Sequence, residues 1–151
     1  MKRFIFLFLT LALSACIAQP TPEPIPTASS PFVIKQEENP YTPRPEDTSK
    51  RRGEVLLTSM NLSERAELIP LQNELRILGS MPSTCSELRI KVNPPNDTYQ
   101  IFIEIYSVVD PNLKCENVFQ QFNATLLLGI YSAGRYTIWV NDNYVGDFVS
   151  L

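Results

Sequence analysis

Three cysteines, at positions 16, 85 and 115, are the most reactive side chains of this 151-residue sequence, which contains no histidine. The missing imidazole removes the usual general base at neutral pH and the commonest zinc ligand. Two domain cysteines without histidine make a poor metal site, so no metal and no cofactor is expected. No serine stands in a nucleophile-elbow sequence, and no glycine-rich loop is shaped to cradle a phosphate. Carboxylate pairs remain as a source of acid–base chemistry, and Glu104, Asp110, Asp142 and Asp147 are the nearest candidates. Glu104 is expected on the solvent side of a strand and the others in or beside turns, as scattered surface carboxylates. Asn141-Asp142-Asn143 with Asp147 gathers oxygen ligands as a calcium loop does. The same residues suit a tight hairpin turn, because Asn and Asp tolerate left-handed φ; the turn is the reading adopted. No catalytic residue is assigned, and an enzyme is the weakest of the functions considered.

The elements that position these residues begin at the N-terminus. Lys2 and Arg3 precede ten uncharged residues, Phe4 to Leu13. As a helix that run is roughly 15 Å long, half the ~30 Å hydrocarbon core of a bilayer. It has the shape of a secretory signal rather than a membrane span. Leu13-Ser14-Ala15-Cys16 then resembles the lipobox of bacterial lipoproteins. The resemblance implies cleavage before Cys16, a diacylglyceryl group on its sulfur and membrane anchoring, since two or more acyl chains hold firmly. Ile17 follows where an aspartate would imply inner-membrane retention, so an outer-membrane or cell-surface location is compatible.

Residues 16–52 read as the lipidated cysteine and a disordered, proline-rich tether. Pro20, Pro22, Pro24, Pro26, Pro31, Pro40, Pro43 and Pro45 fall there, eight of the chain's 13 prolines. Such density favours polyproline II over packed structure. Phe32-Val33-Ile34 is the one apolar cluster, expected to be exposed. Lys50-Arg51-Arg52 closes the tether as a solvated boundary. Without residues 1–15 the chain holds 11 basic and 16 acidic side chains, net −5, which argues against nucleic acid as a partner.

Residues 53–151 are expected to form one all-β domain. Alternating apolar residues mark strands at Leu88, Ile90 and Val92, at Ile101, Ile103 and Ile105, and at Tyr136, Ile138 and Val140. Leu71, Leu75 and Ile77 fit less cleanly. Breakers at 79–84, 93–97, 110–112, 129–134 and 141–143 separate them at the spacing of an antiparallel sandwich or barrel. The closing hairpin, Gly134 to Val140 then Val145 to Phe148, resembles the last two strands of bacterial immunoglobulin-like modules. The chain thus resembles bacterial lipoproteins bearing a single immunoglobulin-like sandwich, although the cysteine–tryptophan–cysteine order of antibody domains is absent.

In an exported domain Cys85 and Cys115 are expected to form a disulfide. With Ile101, Ile103 and Ile105 facing the core, Phe102 and Tyr106 face outward, and likewise Trp139 and Arg135. These four form a candidate binding face, unless residues 54–70 or the tether cover it. The function expected is a lipoprotein held to a membrane through Cys16, presenting its domain to an unknown protein or polysaccharide or serving an envelope assembly. The alternative is a small extracellular protease inhibitor, with contacts in the loops at 79–84, 110–115 and 129–134.

Overall fold

A computed structural model describes residues 30–151. The signal, Cys16 and the first part of the tether lie outside the described residues. Ten strands account for the regular structure: β1 (Val33–Lys35), β2 (Arg51–Gly53), β3 (Leu56–Arg65), β4 (Gln72–Met81) and β5 (Glu87–Val92) in the first half. They are followed by β6 (Gln100–Val109), β7 (Gln120–Leu127), β8 (Ile130–Tyr131), β9 (Gly134–Val140) and β10 (Asn143–Ser150). One 3-10 turn, Pro45–Ser49, is the sole helical element among the described residues.

The strands form a β-sandwich. One sheet has the order β3-β4-β7, and the other has the order β10-β9-β6 with both β5 and β2 on β6. Alternation explains which residues meet between them. Leu75, Ile77, Leu88, Ile90, Ile101, Ile103, Ile105, Tyr136, Ile138 and Val140 are all buried. They fill one core with Ala124, Leu126, Leu128, Tyr131 and Phe148. The strand pattern read from the sequence is therefore the core pattern, except that Leu71 lies exposed just before β4.

Counting from β3, the first, second and fifth strands share a sheet, as in an immunoglobulin sandwich. The expected all-antiparallel arrangement is broken at one pair. β6 and β9 run parallel, with Gln100 opposite Thr137 and Ile103 opposite Val140. The β5–β6 hairpin is inserted so that β6, not β5, meets β9.

The tether reading is corrected from residue 32 onward. Val33 and Tyr41 pack against the core, and β1 pairs with β8. The Asn39 amide donates to the Ile90 carbonyl, and the Ile90 N–H donates to the Tyr41 carbonyl. This segment thus satisfies the free edge of β5, which would otherwise expose unpaired backbone groups. Phe32 and Ile34 remain exposed on either side of Val33, so the expectation for that cluster holds only for its flanks. Prolines restrict the unfolded chain, so docking an extended proline-rich segment costs less entropy than docking an ordinary one. The folded unit consequently begins some twenty residues before position 53.

The next stretch, Pro45–Lys50, lies on the outer face of β5. Asp47 accepts two hydrogen bonds from Arg89, at 2.6 and 2.9 Å. Arg89 points away from the core by strand alternation, yet it is only 3% exposed. Glu87 also takes Arg89 and Lys50. The Arg89 guanidinium holds the Asp47 carboxyl down at about 2. The basic run at 50–52 is a solvated boundary only in part: Arg51 and Arg52 are exposed strand residues, but Lys50 joins this cluster.

Candidate functional site

The expected outward residues do share one face. Alternation on β6 sends Ile101, Ile103 and Ile105 inward and Phe102, Glu104 and Tyr106 outward. The parallel register places Phe102 directly opposite Trp139 of β9. The β9–β10 hairpin places Tyr144 opposite Trp139 on the other side. Three aromatic side chains thus line up across three strands. Phe102 stacks on Trp139 with centroids 6.3 Å apart, and Trp139 meets Tyr144 edge-on at 5.6 Å. Such pairs add about 0.5–1.5 kcal/mol each beyond their burial. Phe102, Tyr106 and Trp139 are half-buried, while Tyr144 is 53% exposed. Of residues 54–70, Glu54 and Val55 stand beside Phe102 and Tyr106, while β3 pairs in the opposite sheet and leaves the face uncovered.

Arg135 sits at the far end of this face and is exposed. It forms an ion pair with Asp147 at 2.6 Å, and the Tyr144 hydroxyl donates to the same carboxylate at 3.0 Å. Arg135 holds the Asp147 carboxyl below its usual range, and that carboxylate in turn pushes the Tyr144 hydroxyl up. Asp147 is therefore committed to a side-chain network on the sheet.

Tyr106 lies at the other end, with the Arg52 guanidinium 3.7 Å above its ring centroid. Between Tyr106 and Phe102, Glu104 accepts from Lys91 at 2.9 Å and from Arg52 at 3.2 Å. The Lys91 bond leads in holding the Glu104 carboxyl down at about 2, with Arg52 and Asn93 assisting. Glu104 is thus a fixed anion at neutral pH, with no proton to donate as a general acid.

A cleft of about 900 Å³ opens beside these residues. Its walls include Arg52, Glu54 and Val55 on one side, Phe102, Glu104 and Tyr106 as the floor, and Asn141 and Asp142 on the other. The cleft exists because β6 has different neighbours along one edge. β9 covers its first residues, Gln100–Ile103, and β2 covers its last, Ser107–Val109. Across the gap, the Asn141 side chain substitutes for a strand. Its amide oxygen accepts from the Ile105 N–H and its amide nitrogen donates to the Ile105 carbonyl, both at 2.8 Å. The Asn141 N–H also donates to the Ile103 carbonyl.

The hairpin turn accounts for the Asn-Asp-Asn sequence. Asn141 and Asp142 have φ values of 44° and 65°, the left-handed pair of a two-residue hairpin loop. The role of Asn141 across the gap was not legible, because nothing in its own neighbourhood names Ile105 as a partner. Glu104 and Asp142 come to one cleft, whereas Asp147 is held by Arg135. Asp110 instead caps its own loop by accepting from Asn112.

Cys85 and Cys115 form the expected disulfide, with Cα atoms 5.7 Å apart. It joins the β4–β5 loop to the β6–β7 loop, where Thr84 N–H also donates to the Glu116 carbonyl. The loops proposed as inhibitor contacts do not gather. Those at 79–84 and 110–115 share the disulfide end, but 129–134 follows β7 and lies at the opposite end.

No curated protein and no solved structure matches the chain. Residues 75–150 match the family described as the ORF11 beta-sandwich domain. This span runs from within β4 to the end of β10 and contains the disulfide, the aromatic ladder and the Asn141 turn. By that match over half its length, the chain belongs to the ORF11 beta-sandwich domain family.

Proposed function

We propose that this protein is a membrane-anchored extracytoplasmic lipoprotein whose β-sandwich binds an envelope protein or polysaccharide through the outer face of its larger sheet. The anchor rests on the lipobox-like Leu13-Ser14-Ala15-Cys16, with an outer-membrane or cell-surface location. The observation that carries the binding role is the Phe102–Trp139–Tyr144 ladder beside the 900 Å³ cleft. Aromatic side chains supply contact area at low entropic cost, and the flanking Glu104, Arg52 and Asn141 supply directional polar groups. Glu104, held in its charged form by Lys91 and Arg52, gives the cleft a fixed negative group for recognition by hydrogen bonds and charge.

The test is cross-linking capture from intact source cells and their medium, with the chain from Cys16 onward as bait. One dominant protein or glycan, lost on Trp139→Ala, is the expected result. Equal capture by the Trp139→Ala bait would place the binding elsewhere, and no specific capture would remove the binding role. Lipidation is read separately, as acyl mass on the N-terminal peptide of the cell-derived protein.

A further inference from the structure

The two ends of the sandwich carry different surfaces. One end holds the disulfide and the β4–β5 and β6–β7 loops. The other holds the β3–β4 loop, the β7–β8–β9 connection and the first described residue, Ser30, just before β1. At this second end apolar side chains stand in water: Ile69 is 98% exposed, Val149 51% and Leu71 47%. A crevice of about 440 Å³ joins Leu71 and Val149, lined also by Pro70, the neighbour of Ile69 in the chain, and by Ile130 and Phe148. β1 pairs with β8, whose Ile130 lines the crevice, and Phe32 and Ile34 on either side of Val33 are exposed. The charges nearby are mostly paired. Lys35 pairs with Glu37, Arg65 with Glu67 and Glu74, and Arg76 with Glu74, while Glu64 lines the crevice. With three basic and four acidic side chains, this end is apolar with a slight negative balance, which suits an uncharged lipid surface better than an anionic one.

We propose that this end rests on the surface of the lipid bilayer, with Ile69 and Leu71 of the β3–β4 loop reaching the headgroup–acyl boundary. The proposal builds on the anchor reading above. Residues 17–29 separate Cys16 from Ser30, and even fully extended as polyproline II they reach only about 40 Å. A short tether gives the attached end a high effective concentration at the surface, so weak apolar insertion suffices for docking. The chain enters the fold beside the crevice, so the apolar end is the one delivered to the lipid. Docked this way, the disulfide loops point away from the membrane and the aromatic ladder faces sideways along the envelope.

The chain from Cys16 onward contains every described residue, and Cys16 is its one thiol outside the disulfide. Coupled through that thiol to maleimide-bearing lipid in phosphatidylcholine vesicles with brominated chains, it is anchored without cellular acylation. Ile69→Trp adds a fluorophore at the apolar end and Leu56→Trp adds one at the disulfide end, over the common Trp139 background. The Ile69→Trp signal should lose about half its added intensity to bromine, as expected for a side chain at the acyl boundary, and the Leu56→Trp signal should keep its own. Quenching of neither, or of both alike, overturns the proposal. Failure of the anchor reading shows independently, as cell-derived protein without acyl mass on Cys16.

Discussion

Asn141 performs two jobs, and three variants at this one position separate them. Its backbone adopts φ 44°, and its side chain makes two 2.8 Å hydrogen bonds to the Ile105 backbone. Asn141→Gly relieves the left-handed backbone and removes both bonds. A net hydrogen bond contributes about 0.5–1.5 kcal/mol, so the loss is about 1–3 kcal/mol. The lower part of that range is expected, because Asn141 and Ile105 line the open cleft and water can reach the vacated groups. Asn141→Ala removes the same bonds and also forces a Cβ-bearing residue without a local polar partner into left-handed φ. That adds about 1–2 kcal/mol, so alanine should be the more damaging change. Asn141→Asp keeps the acceptor for the Ile105 N–H but sets a carboxylate oxygen against the Ile105 carbonyl, and should fall between wild type and alanine. Urea unfolding at 25 °C and neutral pH, followed by far-ultraviolet circular dichroism, gives the three differences. A glycine variant as stable as wild type would show that the side-chain bridge contributes nothing. Alanine no worse than glycine would refute the argument from φ.

Three further outcomes follow from other parts of the fold. Replacing Cys85 and Cys115 together by serine opens a loop of separation 30; the chain-entropy argument gives a loss of roughly 3–4 kcal/mol, read by the same urea titration. The depressed Asp47 and Glu104 carboxyls, each at about 2, contribute stability that is complete above the ordinary carboxyl range near 4 and is lost as pH falls toward 2. Melting temperature should therefore drop across that window, and Asp47→Asn should flatten the drop while lowering the plateau at pH 7. A slope unchanged by Asp47→Asn would dissociate the Asp47–Arg89 pair from acid unfolding. Gly79→Ala would place a Cβ 2.5 Å from the Leu56 carbonyl oxygen and 2.7 Å from the Phe122 ring. Overpacking of this kind costs about 1–3 kcal/mol, and a variant of unchanged stability would show that β3 and β7 yield freely there.

The strands with clean alternation were legible because each carries its own instruction. A period of two declares which side chains must leave water, and Ile101, Ile103, Ile105, Tyr136, Ile138 and Val140 obey it. Turn chemistry was legible for the same local reason at Asn141 and Asp142, whose side chains tolerate the φ that the hairpin needs. The outward set of Phe102, Tyr106, Trp139 and Arg135 followed from the inward one. β7 was missed although Ala124 and Leu126 point inward, because polar Gln120, Gln121, Asn123 and Thr125 dilute its apolar signal.

Sequence by itself determined the all-β class, the core faces, the hairpin turn and, with the export reading, the cysteine pair. Each depends on properties that a residue carries wherever it is placed: hydrophobicity, β-branching, φ tolerance and thiol chemistry. Only the tertiary structure decided that β6 meets β9 in parallel, which sets Phe102 against Trp139. It also decided that Asn141 fills the gap between β9 and β2, and that residues 32–53 belong to the folded unit. These outcomes depend on partners far away in the chain. Alternation says which side of a strand is buried but not which strand lies beside it, and a proline-rich segment reads as extended whether it floats or docks. Val33, Asn39, Tyr41 and Asp47 dock because β5 and β8 leave backbone edges and a buried arginine to be satisfied, and those needs arise only once the sandwich has formed.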